Sequence, residues 1–432
     1  MPVASARAGA RASAWVPSAY LAEGIPFAMA IWVAGTMFKD LGRSDAEITV
    51  GTASVGIAWS LKPLWAPWLD MARTKKFWVI ATELAVAVFL GAAALALRGE
   101  HPFAVVLAIL WAIAFAAATQ DICVDGIYVT ALDGREQASW IGVQGMSWNG
   151  GRIFATAAVV GVAAALKNAG RDAPTAWMGA LGLGAVAMAL LGGYHAIVLP
   201  SGAPARRPTG IADAAATFAD AVRTFFSKKS IAGMLVFVLL YRTGEGFLLV
   251  EAPLFLQASV KTGGLGLSLA QKSLIDGTVS TLVSIAGGLL GGVIVSRLGL
   301  RRTLLPLAIC LNVPHLCYLA LSQSAAMGHP PSAAMIYGLV SLEKLGYSTG
   351  FVGNMLYMMQ QIAPGPYPMT HYAFATALMN LVLVPTQMAS GPLAGALGYH
   401  RFFLFVLMAS VPSVIAAAVA PFPNPDRAPH RE

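Results

Sequence analysis

The sequence predicts an all-α polytopic membrane protein with 12 transmembrane helices in two six-helix bundles, and three observations predict it. Of the 432 residues, 57% are hydrophobic and 11% charged, against roughly 25% charged in soluble globular chains. Apolar stretches of about 20 residues or more, enough to cross ~30 Å of hydrocarbon as helix, recur along the whole chain. One long polar stretch, Pro200 to Ser230, separates them into two groups.

The twelve stretches start near Trp15, Ala46, Phe77, Pro102, Ala138, Thr175, Ile231, Ser268, Thr303, Ser332, Thr370 and Arg401. Arg7 and Arg11 before the first give it the look of a signal peptide. More spans follow at once, however, and no small-residue cleavage site stands out, so it is taken as an uncleaved first span. An even number of spans puts both termini on one side. Most of the 28 Lys and Arg fall at the termini and in even-numbered loops, and the positive-inside rule then places both termini in the cytoplasm. The same distribution accounts for the net charge of +8 without nucleic acid as a partner.

The polar stretch carries Arg206, Arg207, Arg223, Lys228 and Lys229. Its Pro- and Gly-containing start and the spacing of Ile211, Ala215, Phe218 and Val222 predict a linker ending in an amphipathic interfacial helix. The expected domains are therefore residues 1–199 and 231–432, each a six-helix bundle, joined by a cytoplasmic linker at 200–230. An internal echo supports duplication. Asp70, Arg73, Lys75 and Lys76 follow the second span, and Arg297, Gly299, Arg301 and Arg302 follow the eighth. The second of these resembles the major facilitator loop signature G-x-x-x-D-R-x-G-R-R, with Ser296 in place of its acid. Asp70, Arg73, Arg297 and Arg301 are accordingly expected to gate the loops. Related six-helix halves alternate access around a midplane site in such transporters.

Charges inside spans are expensive, about 3 kcal/mol each on insertion scales, and face a partner, a protein interior or a water path. Twelve lie there: Glu23, Lys62, Glu83, Asp121, Asp125, Arg152, Arg242, Glu245, Glu251, Asp276, Glu343 and Lys344. Eight sit on spans one, four, seven and ten, the helices that line the central cavity in the major facilitator architecture. Lys62 lies eight residues before Asp70, and Asp125 eight before Asp133. Similar depth makes Lys62 a partner for Asp125 or Asp121. A permanent structural pair and a titrating, partner-exchanging carboxylate are both open. Arg242 and Glu245, three residues apart on one helical face, form either a local pair or a substrate clamp. Adjacent Glu343 and Lys344 diverge by about 100° around a helix and are expected to address different neighbours. Arg152, Arg242 and Lys344 suit carboxylate or phosphate groups. Gln120, Gln144, Asn149, Tyr241 and Asn354 complete the expected substrate contacts, although neutral polar residues in spans are commonly interhelical glue.

Other signals fail for want of context. Gly346-Tyr-Ser348-Thr-Gly350 matches G-x-S-x-G but lies in an apolar helix, without the strand–turn–helix elbow a hydrolase needs. His195, His315 and His371 have no metal-binding spacing and are assigned to packing or interfaces, His315 being the one most expected to be buried. Cys123, Cys310 and Cys317 lie in apolar stretches as packing residues and form no disulfide framework. No Walker A sequence occurs, so an ion or substrate gradient is the expected driving force, and neither a metal nor another cofactor is expected.

Glu23-Gly-Ile-Pro26, Leu61-Lys62-Pro-Leu-Trp65-Ala-Pro67-Trp-Leu-Asp70, Ala118-Thr-Gln120-Asp121-Ile-Cys-Val-Asp125-Gly126 and the Arg152 region resemble, in order and spacing, the AmpG-type permeases. These form part of the peptide, acetyl-CoA and drug transporter branch of the major facilitator superfamily. Tyr241-Arg-Thr-Gly-Glu245, Glu343-Lys-Leu-Gly346 and His371-Tyr372 resemble a less characterised bacterial subgroup. The resemblance implies a proton-coupled importer of the bacterial inner membrane, not an enzyme, that brings in muropeptides or other amino-sugar-containing solutes and works as a monomer. Siderophores and acyl-CoA are the alternative solutes within the family, and an intramembrane enzyme or receptor is the remote one. Glu23, Lys62, Asp121, Asp125, Glu245 and Glu343 are the expected coupling or gating residues. Two departures stand out: Met71 replaces the usual basic residue, and Glu23 enters a motif that is typically S-G-L-P.

Overall fold

The computed structural model describes residues 3–66, 69, 73–132, 134–202, 210–327 and 331–424, and every regular element among them is helical. In chain order these are α1 (Ala12–Asp40) and α2 (Asp45–Val55), then α3 (Lys75–Ala96) and α4 (Pro102–Ala131). Helix α5 runs from Gly134–Ile153 through Phe154–Val159 to Asn168, and is followed by α6 (Ala173–Val198) and the linker helix α7 (Ile211–Phe226). The rest are α8 (Ile231–Gln257), α9 (Leu269–Leu298), α10 (Leu300–Ala326), α11 (Ala333–Tyr357), α12 (Pro368–Leu397) and α13 (Tyr399–Ala418).

Ten of these are long and apolar enough to cross a membrane. Of the expected spans, α2 and α11 are the two outside that set. The second span is broken after Val55: a short helix Ile57–Leu61 and a 3-10 turn Lys62–Leu64 follow, the turn containing Pro63, whose ring opposes continued α-helix. Helix α11 has the length, 25 residues, but Glu343, Lys344 and its Gly, Ser and Asn positions dilute its apolar character.

Contacts group the chain into two compact units, residues 1–41 with 61–216 and residues 42–60 with 217–432. Within the first, α1 packs on α5, and α3 packs on both α4 and α6. Its buried core includes Trp15, Val16, Val79, Cys123, Val124 and Ile127. Within the second, α9 and α10 pack on α11, and α8 and α2 pack on α12. Residues 42–60, expected with the first bundle, group there through side-chain and backbone links: the Gly391 N–H donates to Thr49 Oγ1 at 3.1 Å and the Tyr399 hydroxyl donates to Asp45.

Helix starts follow sequence. Ser44 caps α2 in a reciprocal box with Glu47, Thr74 caps α3 and Ser332 caps α11, each hydroxyl accepting an otherwise orphaned amide. Asp172 caps α6: its carboxylate accepts from Thr175 N at 3.3 Å and Thr175 Oγ1 at 2.5 Å, which holds its pKa below the ordinary carboxylate value. The linker helix docks by its apolar side, with Phe218 and Phe225 5.7 and 5.5 Å from Phe374, ring to ring. Lys228, whose pKa burial lowers, donates to the Ile362 and Pro364 carbonyls at 2.5 Å each. Four π-turns occur among the described residues, Met29–Val33 in α1, Phe154–Val159 in α5, Ser273–Val279 in α9 and Met358–Ile362 after α11.

Candidate functional site

In the first unit the site is assembled from α1, the Lys62 turn, α4 and α5. The turn is held against α4 by Trp65, whose indole N–H donates to Thr119 Oγ1 at 3.1 Å and whose ring lies 5.5 Å from Phe115. Lys62 Nζ thereby reaches Asp121 and forms an ion pair, the lysine side chain 30% and the aspartate 14% exposed. One turn on, Asp125 Oδ1 accepts from the Tyr20 hydroxyl at 2.8 Å. Glu23, one turn after Tyr20 on α1, faces Asp121 and Asp125 as well as Lys62. Three carboxyls thus share one ammonium.

Close helix approach fixes this arrangement. A Cβ on Gly24 would lie 2.2 Å from the Trp148 carbonyl oxygen, and one on Gly151 2.2 Å from that of Leu21. Only glycine at both positions lets α1 and α5 meet backbone to backbone. Beside the contact is a cavity of about 300 Å³ lined by Tyr20, Glu23, Gln144, Gly145, Trp148 and Asn149. Glu23 Oε2 and Gln144 Oε1 are buried acceptors without a hydrogen-bond partner. Asn149 Nδ2 donates to the Gly145 carbonyl at 2.9 Å. Arg152, expected to hold an acid or an anion, has its guanidinium 4.7 Å over the Trp32 ring, a cation–π contact.

Gln120 does not join this cavity. It is fully buried and donates to Glu83 Oε1 at 2.9 Å; His195 Nδ1 meets the same carboxylate at 2.8 and 2.9 Å, and His195 Nε2 contacts Ser18 Oγ at 2.9 Å. Four helices, α1, α3, α4 and α6, are joined in this way. The packing role expected for His195 becomes a hydrogen-bonding one, which sequence reasoning missed because its partner lies 112 residues away.

In the second unit, Arg242 falls where α8 leaves α-geometry, between helices ending at Leu240 and resuming at Thr243. Its Nε donates to Glu245 Oε2 at 2.7 Å and its Nη2 to Oε1, a bidentate pair, with the guanidinium 4.7 Å over Phe351. Of the two readings open for these residues, the structure has the local pair. Fully buried Tyr241 donates to the Gly350 carbonyl at 2.9 Å, and Asn354 Nδ2 approaches Met379 Sδ at 3.0 Å. Glu343 and Lys344 do not diverge as expected: Lys344 Nζ lies 3.0 Å from Glu343 Oε2. A four-carbon stem lets the ammonium fold back over the 100° that separates the two Cα–Cβ vectors. His315 is buried, as expected, and contacts Ser410 Oγ at 3.0 Å. Cys123 and Cys317 are buried, but Cys310 is exposed.

Of the loop residues, Arg73 stacks 5.5 Å over Phe77 and Arg301 5.8 Å over Phe422, Arg297 is exposed, and Asp70 lies outside the described residues. Gly287 and Gly291, four residues apart on α9, make a close helix contact, a Cβ on either meeting an α11 carbonyl oxygen at 2.6 Å.

No family model matches the chain. The anhydromuropeptide permease of Escherichia coli (strain K12) is 25% identical over 410 residues, covering 92% of this chain and 77% of the permease. A putative transporter AmpG 4 of Rickettsia conorii is 20% identical over 410 residues, covering 91% and 92%. Among solved structures, a bacterial homologue of the human lysosomal transporter Spinster matches with a TM-score of 0.71 at 14% identity, over 94% of this chain and 95% of that one. A D-xylose–proton symporter matches with a TM-score of 0.67 at 12% identity, over 93% and 95%. The helical fold and these relatives define a multi-pass bacterial membrane transporter with the major facilitator fold, not an enzyme. The expected likeness to AmpG-type permeases is borne out by the Escherichia and Rickettsia relatives.

Proposed function

We propose that this chain is a proton-coupled importer of a muropeptide or another amino-sugar-containing solute across the bacterial inner membrane. In this reading it works as a monomer with both termini cytoplasmic, and residues 1–199 and 231–432 act as two bundles joined by the linker at 200–230, residues 42–60 being packed with the second. The observation that carries the coupling is the Lys62–Asp121 pair with Glu23 and Asp125 around it. Three carboxyls and one ammonium hold two negative charges in excess when all are ionised. In a low-dielectric setting that excess is costly, and one proton bound at Glu23, Asp121 or Asp125 relieves half of it. Exchange of Lys62 between carboxylates would then tie proton release to movement.

The solute class is supported by the name of the Escherichia coli relative, anhydromuropeptide permease, and by the Gln144, Asn149 and Trp148 lining of the cavity. Arg242 and Lys344 bind anionic solute groups only after giving up Glu245 and Glu343, so their carboxylate partners, like the charges around Lys62, act as gates. Arg152, Tyr241, Asn354 and Gln120 support the walls of the path, and Asp70, Arg73, Arg297 and Arg301 govern the loops.

The test is uptake of muropeptides by proteoliposomes with an imposed pH gradient. Accumulation should follow the gradient and fall at least tenfold in Asp121→Asn or Asp125→Asn at unchanged expression. Flux that ignores the gradient removes the coupling, and full accumulation in both variants reduces the pair to structural glue.

A further inference from the structure

We infer that the cavity between α1 and α5 is a subsite for a protonated amine on the transported solute; this rests on the proposed transport reading and specifies what the solute must carry. First, among the described residues lining the cavity none is cationic, while one, Glu23, is acidic. The nearest arginine on α5, Arg152, lies over Trp32. Second, the polar groups available are acceptors: Glu23 Oε2 and Gln144 Oε1 are both buried and without a hydrogen-bond partner. A buried acceptor left unmatched is costly, so a donor-bearing group entering beside them recovers that cost. Third, aromatic residues complete the wall. Trp148 and Tyr20 line the same space, the Trp148 ring being braced by Phe27 at 5.6 Å, and indole and phenol faces attract cations.

Hydroxyls would satisfy the acceptors equally well, and the charge decides against them. Glu23 stands next to Asp121 and Asp125, with Lys62 as the cation they share. With three carboxyls against one ammonium the site stays negative even after one of them takes up a proton, and so favours a ligand that brings a positive charge. A primary ammonium offers three donors and no acceptor, which matches the two orphaned oxygens and leaves one donor for Asn149 or water. The short backbone contacts at Gly24 and Gly151 hold Glu23 and the Trp148 backbone at fixed separation, so the box is preformed.

The experiment measures binding of glucosamine, N-acetylglucosamine and glucose to the purified full-length protein by calorimetry at pH 6.5 and pH 9.5. The three share a ring, and only the first bears an amine, which is protonated at the lower pH and neutral at the higher, since such amines titrate near pH ~8. The wild type should prefer glucosamine at least tenfold at pH 6.5 and lose the preference at pH 9.5. Glu23→Gln should abolish the preference at pH 6.5, and Gln144→Leu should reduce it severalfold. Where Glu23→Gln fails to fold, the wild-type pH comparison and Gln144→Leu decide alone.

Equal binding of glucosamine and glucose, no saturable glucosamine binding, or a preference that survives in Glu23→Gln each overturns the subsite. Muropeptide flux indifferent to a pH gradient would remove the coupling reading while leaving the amine preference standing. Proton-driven uptake without any amine preference would remove the subsite alone.

Discussion

Replacing Lys62 by Met should destabilise the protein by about 2–3 kcal/mol, and the cost should shrink when Asp121 is changed with it. At a separation of about 4 Å and an effective dielectric of 20, an ion pair is worth ~4 kcal/mol. The lysine side chain is 30% exposed and the aspartate 14%, so solvent screening reduces that to roughly 2 kcal/mol. Removing the ammonium also leaves Glu23, Asp121 and Asp125 facing one another, which adds repulsion. Removing one partner of a fully buried pair costs 3–5 kcal/mol, and partial exposure sets the lower figure here. Asp121→Asn should cost less, about 1 kcal/mol, because Lys62 keeps Asp125 and Glu23 nearby. Lys62→Met/Asp121→Asn should then fall short of the sum by about 1–2 kcal/mol. For a unit of 150–250 residues each kcal/mol moves the midpoint by about 2–4 °C, so Lys62→Met should melt roughly 4–12 °C early in thermal unfolding of detergent-purified protein. A coupling energy within ~0.3 kcal/mol of zero would refute the pair as a working interaction.

Three further outcomes are expected. Gly24→Ala forces a methyl to 2.2 Å from the Trp148 carbonyl; it should cost about 1–3 kcal/mol as overpacking and weaken solute binding, whereas Gly182→Ala, with open space around its Cβ, should leave binding unchanged. His195→Phe leaves the buried Glu83 with Gln120 alone and should lower the melting midpoint by ~3 kcal/mol equivalent, an effect that Glu83→Gln on top of it partly reverses. The lowered Asp172 pKa makes its cap a stabilising contribution present above the unfolded carboxylate value, near pH 4. That contribution is lost as pH falls through the lower folded value, so Asp172→Asn should flatten the acid limb of a midpoint-against-pH curve, and an unchanged limb would show that the cap contributes nothing.

Much of this was legible in the sequence because a bilayer imposes length and polarity on every span. The helical class and most of the spans followed from apolar runs alone. The second span was harder: its apolar content is continuous, but Pro63 and the 3-10 turn break the helix, and its first part packs on α12 through Thr49 and Gly391. Depth counting picked out Lys62 and the acid pair, and could not choose between Asp121 and Asp125, which differ by one turn. The choice is made by Trp65 and Thr119, a tertiary contact, while Tyr20 takes Asp125. Long-range pairs leave no local signature either, which is why His195 showed no link to Glu83. The Glu343–Lys344 pair shows the opposite limit. Helical phase governs where a side chain starts, and a flexible stem decides where it ends.

The π-turns offset the two halves of each helix in sequence phase. A π-turn is one residue more than the surrounding α-helix requires, so the polar face before it and the face after it are out of phase by about 100°. On α1, Tyr20 and Glu23 precede the turn at Met29–Val33, and on α5, Gln144 to Arg152 precede the one at Phe154–Val159. On each helix the positions that share the cavity face are therefore offset by one residue in sequence beyond the turn. Single-residue deletions within Met29–Val33 or Phe154–Val159 would return the turn to plain α-helix and leave the residues on both sides in register. Alignments with relatives are accordingly expected to place lone one-residue gaps there, and nowhere between Tyr20 and Glu23 or between Gln144 and Arg152.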